Sequence, residues 1–298
     1  MTFANVGALL GLVLACVRAV ALLLRRRPRA VVALGGYASI PCGLAAVLLR
    51  IPLIVAEQNA VPGAANRLLG RFARACAVPA EGTGLQRSVV TGNPVRAEVR
   101  ARSAGAGRAA ARRFHGLDDR PFVVVFGGSL GARRINQAMF EAMQDWDGGE
   151  IVVHHVLGSR DWNDPGFVRH PAGPNVDHRV VEYEHDLPTA LAAADLVLCR
   201  SGATSVAELG VIGIPSLLVP LPGAPDDHQT ANAHLLADAG GARILPDAEV
   251  DGTRLRAELA ALLSDSVRRE EMARAAGGVG IPDAADRVVD LLLEHSRA

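Results

Sequence analysis

Short apolar runs alternate along the chain with longer segments of helical spacing, and turns rich in glycine, proline or asparagine separate them. This alternation is typical of βαβ units, which form parallel sheets with helices on both faces. The pattern predicts strands at residues 30–34, 52–56, 75–78, 88–91, 122–126, 150–156, 180–182, 196–199, 216–219 and 243–245. Since 298 residues exceed one average domain, we expect an α/β fold with two doubly wound, Rossmann-like domains.

The charge of the chain changes sign near residue 113. Residues 1–113 contain 16 arginines and three acidic residues, whereas the whole chain has no net charge. A stretch rich in alanine, glycine and arginine coincides with this reversal and suits a linker helix at about 96–113. We therefore predict a first domain at 1–96 and a second at 97–298. The first is expected to be incomplete, because it begins with a helix where a doubly wound domain normally begins with a strand and a phosphate-binding turn.

The basic first domain predicts an anionic partner. It contains few aromatic residues for stacking on bases, which favours an anionic membrane surface over nucleic acid. Residues 3–24 are apolar apart from Asn5 and Arg18, so three arrangements are open: a bilayer span, a helix at the membrane surface, or a helix packed on the domain. Arg18 would be costly inside hydrocarbon, which favours the last two. The chain contains no lysine, which excludes a lysine phosphate loop and a Schiff base.

Two strand-to-helix turns are rich in glycine. The sequence VVVFGGSLGARRIN places Gly127, Gly128 and Ser129 between a strand and a helix, where backbone N–H groups and the helix dipole stabilise phosphate. Gly35 and Gly36 repeat the arrangement in VVALGGYASIP. Neither turn is a G-x-G-x-x-G dinucleotide motif, and a plain tight turn explains the first one equally well.

The segment LCRSGATSVAELG predicts a further strand-to-helix turn, with Ala203 and Thr204 at the crevice above the sheet. Glu208 lies one and a half turns into the helix, where a carboxylate can accept hydrogen bonds from both hydroxyls of a ribose. Gln229 follows the next strand, in DDHQTANA, and offers a donor and an acceptor to sugar hydroxyls. A solvated helix-face acid and an ordinary capped helix are the open alternatives. The neighbouring Asp-Asp-His side chains diverge, so no metal site is predicted.

Polar residues also lie at the ends of two segments of the first domain. Glu57 and Asn59 follow a buried-type strand in VAEQNAVPGAANRLL, and Arg96 closes TGNPVR. An arginine beside a crevice would balance the charge of a pyrophosphate, although a turn with a surface arginine explains TGNPVR equally well. No histidine precedes His115, so the first domain contains no imidazole that could act as a base.

Six motifs occur in a fixed order: GGYASIP, EQNAVPGAANRLL, TGNPVR, FGGSLGARRIN, RSGATSVAELG and DDHQTANA. Together they resemble the MurG family of bacterial glycosyltransferases over about residues 27–295. The resemblance implies a GT-B architecture of two Rossmann-like domains facing a cleft. It also implies inverting transfer of N-acetylglucosamine from UDP-N-acetylglucosamine to undecaprenyl-pyrophosphoryl-MurNAc-pentapeptide (lipid I), which yields lipid II for peptidoglycan. It further implies a peripheral protein at the cytoplasmic face of the cell membrane. Neither a cofactor nor a bound metal is expected.

The resemblance implies roles for individual residues as well. Glu208 would bind the ribose, Gln229 the sugar hydroxyls and Ser129 the diphosphate. The full donor-binding set is Asn59, Arg96, Ser129, Ala203, Thr204, Glu208 and Gln229. The phosphate and acceptor turns would be formed by Gly35, Gly36, Gly127 and Gly128. Glu184 would lie where the family contacts uracil through main-chain atoms.

Two departures from the family pattern bear on activity. The family begins with a strand and a GGTxGH-like turn whose histidine is often assigned to acceptor activation, and this sequence begins after that point. The family also commonly has histidine where this sequence has Ala56. The leading interpretation is a transferase in which Glu57, as the remaining carboxylate, takes the catalytic role of a general base or positions the substrate. The alternative is an inactive or split UDP-sugar-binding half that needs the missing segment from a separate chain. A UDP-sugar epimerase is disfavoured, because the first domain is poor in carboxylates.

Overall fold

The structure is a computed structural model that describes residues 3–128 and 131–296. Its helices are α1 Phe3–Arg26, α2 Ile40–Leu48, α3 Ala64–Gly70, α4 Ala97–Arg100, α5 Arg108–Phe114, α6 Arg133–Gln144, α7 Ser159–Trp162, α8 Leu187–Ala193, α9 Ala203–Ile212, α10 His228–Ala237, α11 Gly252–Leu263, α12 Ser266–Val279 and α13 Ala284–His295. Its strands are β1 Val31–Ala33, β2 Leu53–Ala56, β3 Ala75–Val78, β4 Ser88–Val90, β5 Phe122–Phe126, β6 Ile151–Val156, β7 Val176–Val181, β8 Leu196–Cys199, β9 Ser216–Leu218 and β10 Ala242–Ile244.

The chain divides into two compact units. The first comprises Met1–Pro94 and Asp283–Ala298, and the second comprises Val95–Pro282. The first unit has a parallel sheet in the order β1-β2-β3-β4, and the second has a parallel sheet in the order β10-β9-β8-β5-β6-β7. A strand is present at every predicted position, which confirms the α/β prediction; β7 begins at Val176, four residues before its predicted start.

Helices cover both faces of the first sheet. On one side α1 packs through Ala19 and Leu23 against α2. On the other side Leu291 of α13 packs against the strand residues Ile54, Ala75 and Ala77. The predicted second domain at 97–298 includes α13, but the apolar face of this helix completes the core of the first unit. None of the helices within 3–128 and 131–296 combines the length and hydropathy that crossing a membrane requires.

The central strands β5 and β8 of the second sheet are buried on both faces, which explains why they are continuously apolar. In β5, Phe122 and Val124 face one hydrophobic cluster, while Val123 and Val125 face the other. A hydrophobic residue is therefore needed at every position of this strand, and the sequence FVVVF meets that need.

The linker stretch differs from its prediction as one helix. It forms two short helices, α4 and α5, and the glycines between them interrupt the helical path: Gly105 and Gly107 have φ of 77° and 79°. Arg108 and Arg112 of α5 both bind the Asp195 carboxylate of the second unit, at 2.6 and 3.0 Å. These ion pairs fix the stretch to the second unit.

Candidate functional site

Three strand-to-helix turns meet at one edge of the second sheet. Phe126 at the end of β5 pairs with Cys199 at the end of β8, and Cys199 pairs with Leu218 at the end of β9. The turns that follow these strands therefore lie side by side. The strand order reverses between β8 and β5, and such reversal points are where open α/β sheets bind ligands.

The turn after β5 requires glycine at several positions. A Cβ on Gly127 would lie 2.4 Å from the Ala132 Cβ, and a Cβ on Gly131 would lie 2.3 Å from the Leu157 carbonyl oxygen. Gly128 has a φ of 94°, which L side chains rarely adopt. These three glycines let the backbone come close to a ligand before α6 begins, as a phosphate-binding turn requires. The predicted diphosphate residue Ser129 lies outside the described residues.

Glu208 is buried in the interior of α9. Glu208 is only 3% exposed, so its carboxylate needs a hydrogen-bonding partner within the protein. Arg96 supplies one through two parallel bonds: Nε donates to Oε1 at 2.8 Å and Nη2 donates to Oε2 at 3.0 Å. The pKa of Arg96 is raised, chiefly by this hydrogen bond. The sequence placed Arg96 near a pyrophosphate and Glu208 on a ribose, and the structure brings these two residues together.

Three more of the donor candidates lie at the starts of two helices of the second unit. Ala203 and Thr204 form the first turn of α9, directly after the β8 turn. Gln229 lies in the first turn of α10, and its Oε1 accepts the backbone N–H of Leu221 at 3.0 Å, which closes the loop after β9. The N-cap residue of α10 is Asp227, and its side chain accepts the Thr230 hydroxyl instead of a backbone N–H.

In the first unit, Glu57 binds the loop that follows it. Oε1 accepts the backbone N–H groups of Gln58 and Asn59 at 2.9 and 2.8 Å. Oε2 accepts the Gly63 N–H at 3.1 Å and the Asn66 amide at 2.9 Å. A general base must contact the proton that it removes, whereas both oxygens of this buried carboxylate accept hydrogen bonds from the protein. The geometry therefore favours loop positioning for Glu57 over the role of base.

The first glycine turn lies beside this loop. Ala33 at the end of β1 pairs with Val55 of β2, so Gly35 and Gly36 follow the neighbouring strand at the same edge. A Cβ on Gly35 would lie 3.1 Å from the Asn66 Nδ2. Asn66 is buried and connects the Glu57 loop to this turn, but it was not among the candidate residues predicted from the sequence.

A buried polar network lies beneath the glycine turn of the second unit and was also missed. Asn136 donates from Nδ2 to the Leu157 carbonyl at 2.8 Å and to Asp161 at 2.7 Å. Its Oδ1 therefore faces His155 Nε2, 3.0 Å away, which must carry a proton. The other nitrogen of neutral His155 then accepts a hydrogen bond from His178, at 3.2 Å.

This network makes the second unit sensitive to acid. Burial lowers the pKa of His178 to about 4, and burial, followed by the proximity of His178, lowers the pKa of His155. Histidines of the unfolded chain titrate near 6.5, so the unfolded state takes up protons first as the pH falls. We expect His178 alone to reduce the free energy of unfolding by about 2 kcal/mol between pH 7.5 and pH 5.

Urea unfolding followed by tryptophan fluorescence measures this loss, because Trp146 and Trp162 both lie in the second unit. His178→Gln is the control, since an amide can still donate to His155 but does not titrate. Between the two pH values, the free energy of unfolding of His178→Gln should fall by about 2 kcal/mol less than that of the wild type. Equal losses in the two proteins would contradict the assignment.

Among the described residues, no group of three or more His, Cys, Asp or Glu side chains is arranged to hold a metal ion.

The chain matches two models of one family. The glycosyltransferase family 28 N-terminal domain matches residues 1–78, and the C-terminal domain of the same family matches residues 122–288. The UDP-N-acetylglucosamine–N-acetylmuramyl-(pentapeptide) pyrophosphoryl-undecaprenol N-acetylglucosamine transferases of Xanthomonas axonopodis pv. citri and Alkalilimnicola ehrlichii are both 42% identical, over 95% and 94% of this chain. The chain spans 65% of the length of the first and 77% of the second.

Solved structures agree with this assignment. The crystal structure of Acinetobacter baumannii MurG is 31% identical with a TM-score of 0.78, over 94% of this chain and 77% of that one. A UDP-GlcNAc 2-epimerase from Neisseria meningitidis has a TM-score of 0.63, but its 15% identity shows only a shared fold. The two Rossmann-like units are those of the GT-B fold. The chain belongs to glycosyltransferase family 28 and, within it, to the MurG family.

Proposed function

We propose that this protein transfers N-acetylglucosamine from UDP-N-acetylglucosamine to lipid I in peptidoglycan synthesis. The observation that carries the proposal is the buried Glu208 carboxylate at the reversal point of the second sheet, beside the glycine turn after β5. The relatives named above support the same substrates through their names. Their identity over nearly the whole chain favours a transferase over a separate UDP-sugar-binding half.

The second unit would bind the donor. Glu208 accepts the ribose hydroxyls, and Ala203 and Thr204 lie beside the nucleotide. Arg96 and the turn that contains Gly127, Gly128 and Ser129 hold the diphosphate, since both provide donors to anionic oxygens. Gln229 hydrogen-bonds the sugar hydroxyls. In this arrangement the donor is held at its ribose and at its sugar, and the negative charge of the diphosphate is stabilised as UDP leaves.

The first unit would bind the acceptor. The turn with Gly35 and Gly36 presents backbone groups at the sheet edge where the loop that contains Glu57 also begins. Glu57 shapes that loop through its hydrogen bonds. The acceptor hydroxyl attacks the anomeric carbon directly while the bond from that carbon to the UDP oxygen breaks, and the hydroxyl proton passes to water or to the departing diphosphate. The configuration at the anomeric carbon is therefore inverted and no covalent enzyme intermediate forms.

The test is UDP release by the purified chain from UDP-N-acetylglucosamine, with and without a soluble lipid I analogue. Release that depends on the acceptor is the expected result. If the chain binds UDP-N-acetylglucosamine but releases no UDP with the analogue, the donor half of the proposal stands and the transfer step is contradicted.

We also propose that the first unit associates with an anionic membrane surface. On α1, Val13, Val17 and Leu24 lie on one helical face and are 54%, 61% and 57% exposed. The same unit also has an open cavity of about 600 Å³, and the described residues that line it include Arg50, Arg71, Arg74 and Arg87 but no acidic residue. An exposed apolar helix face and an arginine-lined cavity in one unit suit a bilayer surface that carries phosphate head groups.

A charge placed on this helical face should weaken membrane binding. Val17→Glu is expected to reduce binding to vesicles that contain anionic lipid by about tenfold, because a carboxylate would have to enter the head-group boundary against its charge. Vesicle sedimentation measures the change. Val267→Glu is the matched control, since Val267 is 64% exposed on α12 of the second unit. If both variants bind like the wild type, this surface is not the membrane contact.

A further inference from the structure

The ion pair between Arg96 and Glu208 conflicts with the role proposed for Glu208. Both carboxylate oxygens accept hydrogen bonds from the Arg96 guanidinium, and the Glu208 side chain is only 4% exposed. A ribose that binds to this carboxylate needs the same two oxygens for its hydroxyls. This inference rests on the proposed function, because it concerns how the nucleotide enters that site.

Arg96 is the partner that can move. Glu208 lies inside the ten-residue helix α9, between the buried residues Val206 and Leu209. Arg96 precedes α4, and its side chain is 46% exposed, so its guanidinium can leave the carboxylate without disturbing the core. Binding of a ribose should therefore displace the arginine and leave the carboxylate in place.

Displacement of Arg96 is favourable only if the ligand offers the guanidinium another anion. An isolated nucleoside breaks the ion pair and provides no replacement. A nucleoside diphosphate provides phosphate oxygens, which suit the planar fork of arginine as well as a carboxylate does. The glycine turn after β5, next to the β8 turn, gives the phosphates a place close to this pair.

We infer that Arg96 determines specificity for the diphosphate: it blocks the ribose-binding carboxylate until a nucleoside diphosphate draws it away. Recognition of the ribose thus depends on the presence of the diphosphate. Uridine, which has the ribose and base alone, competes with Arg96 for Glu208, whereas UDP exchanges one ion pair for another.

The test compares the affinities of uridine and UDP, measured by calorimetry or ligand-observed NMR. In Arg96→Ala, uridine is expected to bind about three- to tenfold more tightly, because its competitor is absent. UDP is expected to bind about tenfold more weakly, because it loses the arginine. Opposite changes for two ligands of one site cannot come from general damage to the fold.

Two further variants isolate the ion pair. In a Glu208→Gln background, adding Arg96→Ala should no longer strengthen uridine binding, since the charged partner of Arg96 is already gone. Arg120→Ala is the matched control: Arg120 pairs with Asp118 at the surface of the same unit, and its loss should leave both affinities unchanged. Arg96→Gln retains one donor and serves if Arg96→Ala does not fold.

Uridine affinity that is unchanged or weaker in a folded Arg96 variant would overturn the inference. A wild-type chain that binds no UDP would instead contradict the proposed donor site, so the two failures are distinguishable.

Discussion

Replacement of Asn136 by alanine is expected to lower the free energy of unfolding of the second unit by about 3 to 5 kcal/mol. Asn136 is fully buried and binds the Leu157 carbonyl, the Asp161 carboxylate and the His155 ring. The truncation leaves all three partners buried with a missing hydrogen bond, and one of them is charged. A buried group that loses its partner costs more than the bond itself contributed. Urea unfolding followed by tryptophan fluorescence measures the change.

Gln137→Ala is the matched control, because it removes an amide from the next position of the same helix, where the side chain is exposed. We expect its unfolding free energy to stay within about 0.5 kcal/mol of the wild type. A loss below about 1 kcal/mol for Asn136→Ala would show that the network beneath the glycine turn contributes little to stability.

Replacement of Glu208 by alanine is expected to reduce kcat/KM for UDP-N-acetylglucosamine at least about a hundredfold. A hydrogen bond to a charged group contributes about 1.5 to 3 kcal/mol, and the proposed site loses two of them. The KM for the lipid I analogue should not change, because the acceptor is bound by other residues. Initial rates of UDP release at varied donor and acceptor concentrations separate the two effects.

Glu258→Ala is the control for this variant. Glu258 is also a buried carboxylate on a helix of the second unit, and it pairs with Arg243 and Arg254 at 2.8 and 2.9 Å. Its loss should lower the stability and leave kcat/KM unchanged. If both alanine variants lose activity equally, the effect of Glu208 is structural, and its assignment to the ribose is contradicted.

The strands could be predicted because their physical requirement is local. A parallel strand that is buried on both faces needs consecutive apolar residues, as in FVVVF and LVLC, and a glycine turn must follow where a helix begins close by. The carboxyl ends of such strands share one edge, so the candidate residues of the second unit could be grouped from the sequence alone.

The contacts that define the site could not be predicted, because they join residues far apart in the chain. Arg96 meets Glu208 across 112 positions, and Asn136 meets His155 across 19. A sequence pattern shows an arginine or a glutamate but not which partner satisfies it. Glu57 illustrates the same limit within one loop: its position suggested a base, and only the folded loop shows that both carboxylate oxygens are occupied.

The packing of α13 on the first sheet has a consequence for the order of synthesis. Ile54, Ala75 and Ala77 are covered by Leu291, which leaves the ribosome more than two hundred residues after them. The second unit, Val95–Pro282, is contiguous and can complete its core during translation. Synthesis of the first unit begins before that of the second unit and finishes after it. One face of the first sheet stays uncovered while the second unit is being synthesised. Chaperone capture of nascent chains should therefore concentrate on that face and end once Leu291 has emerged.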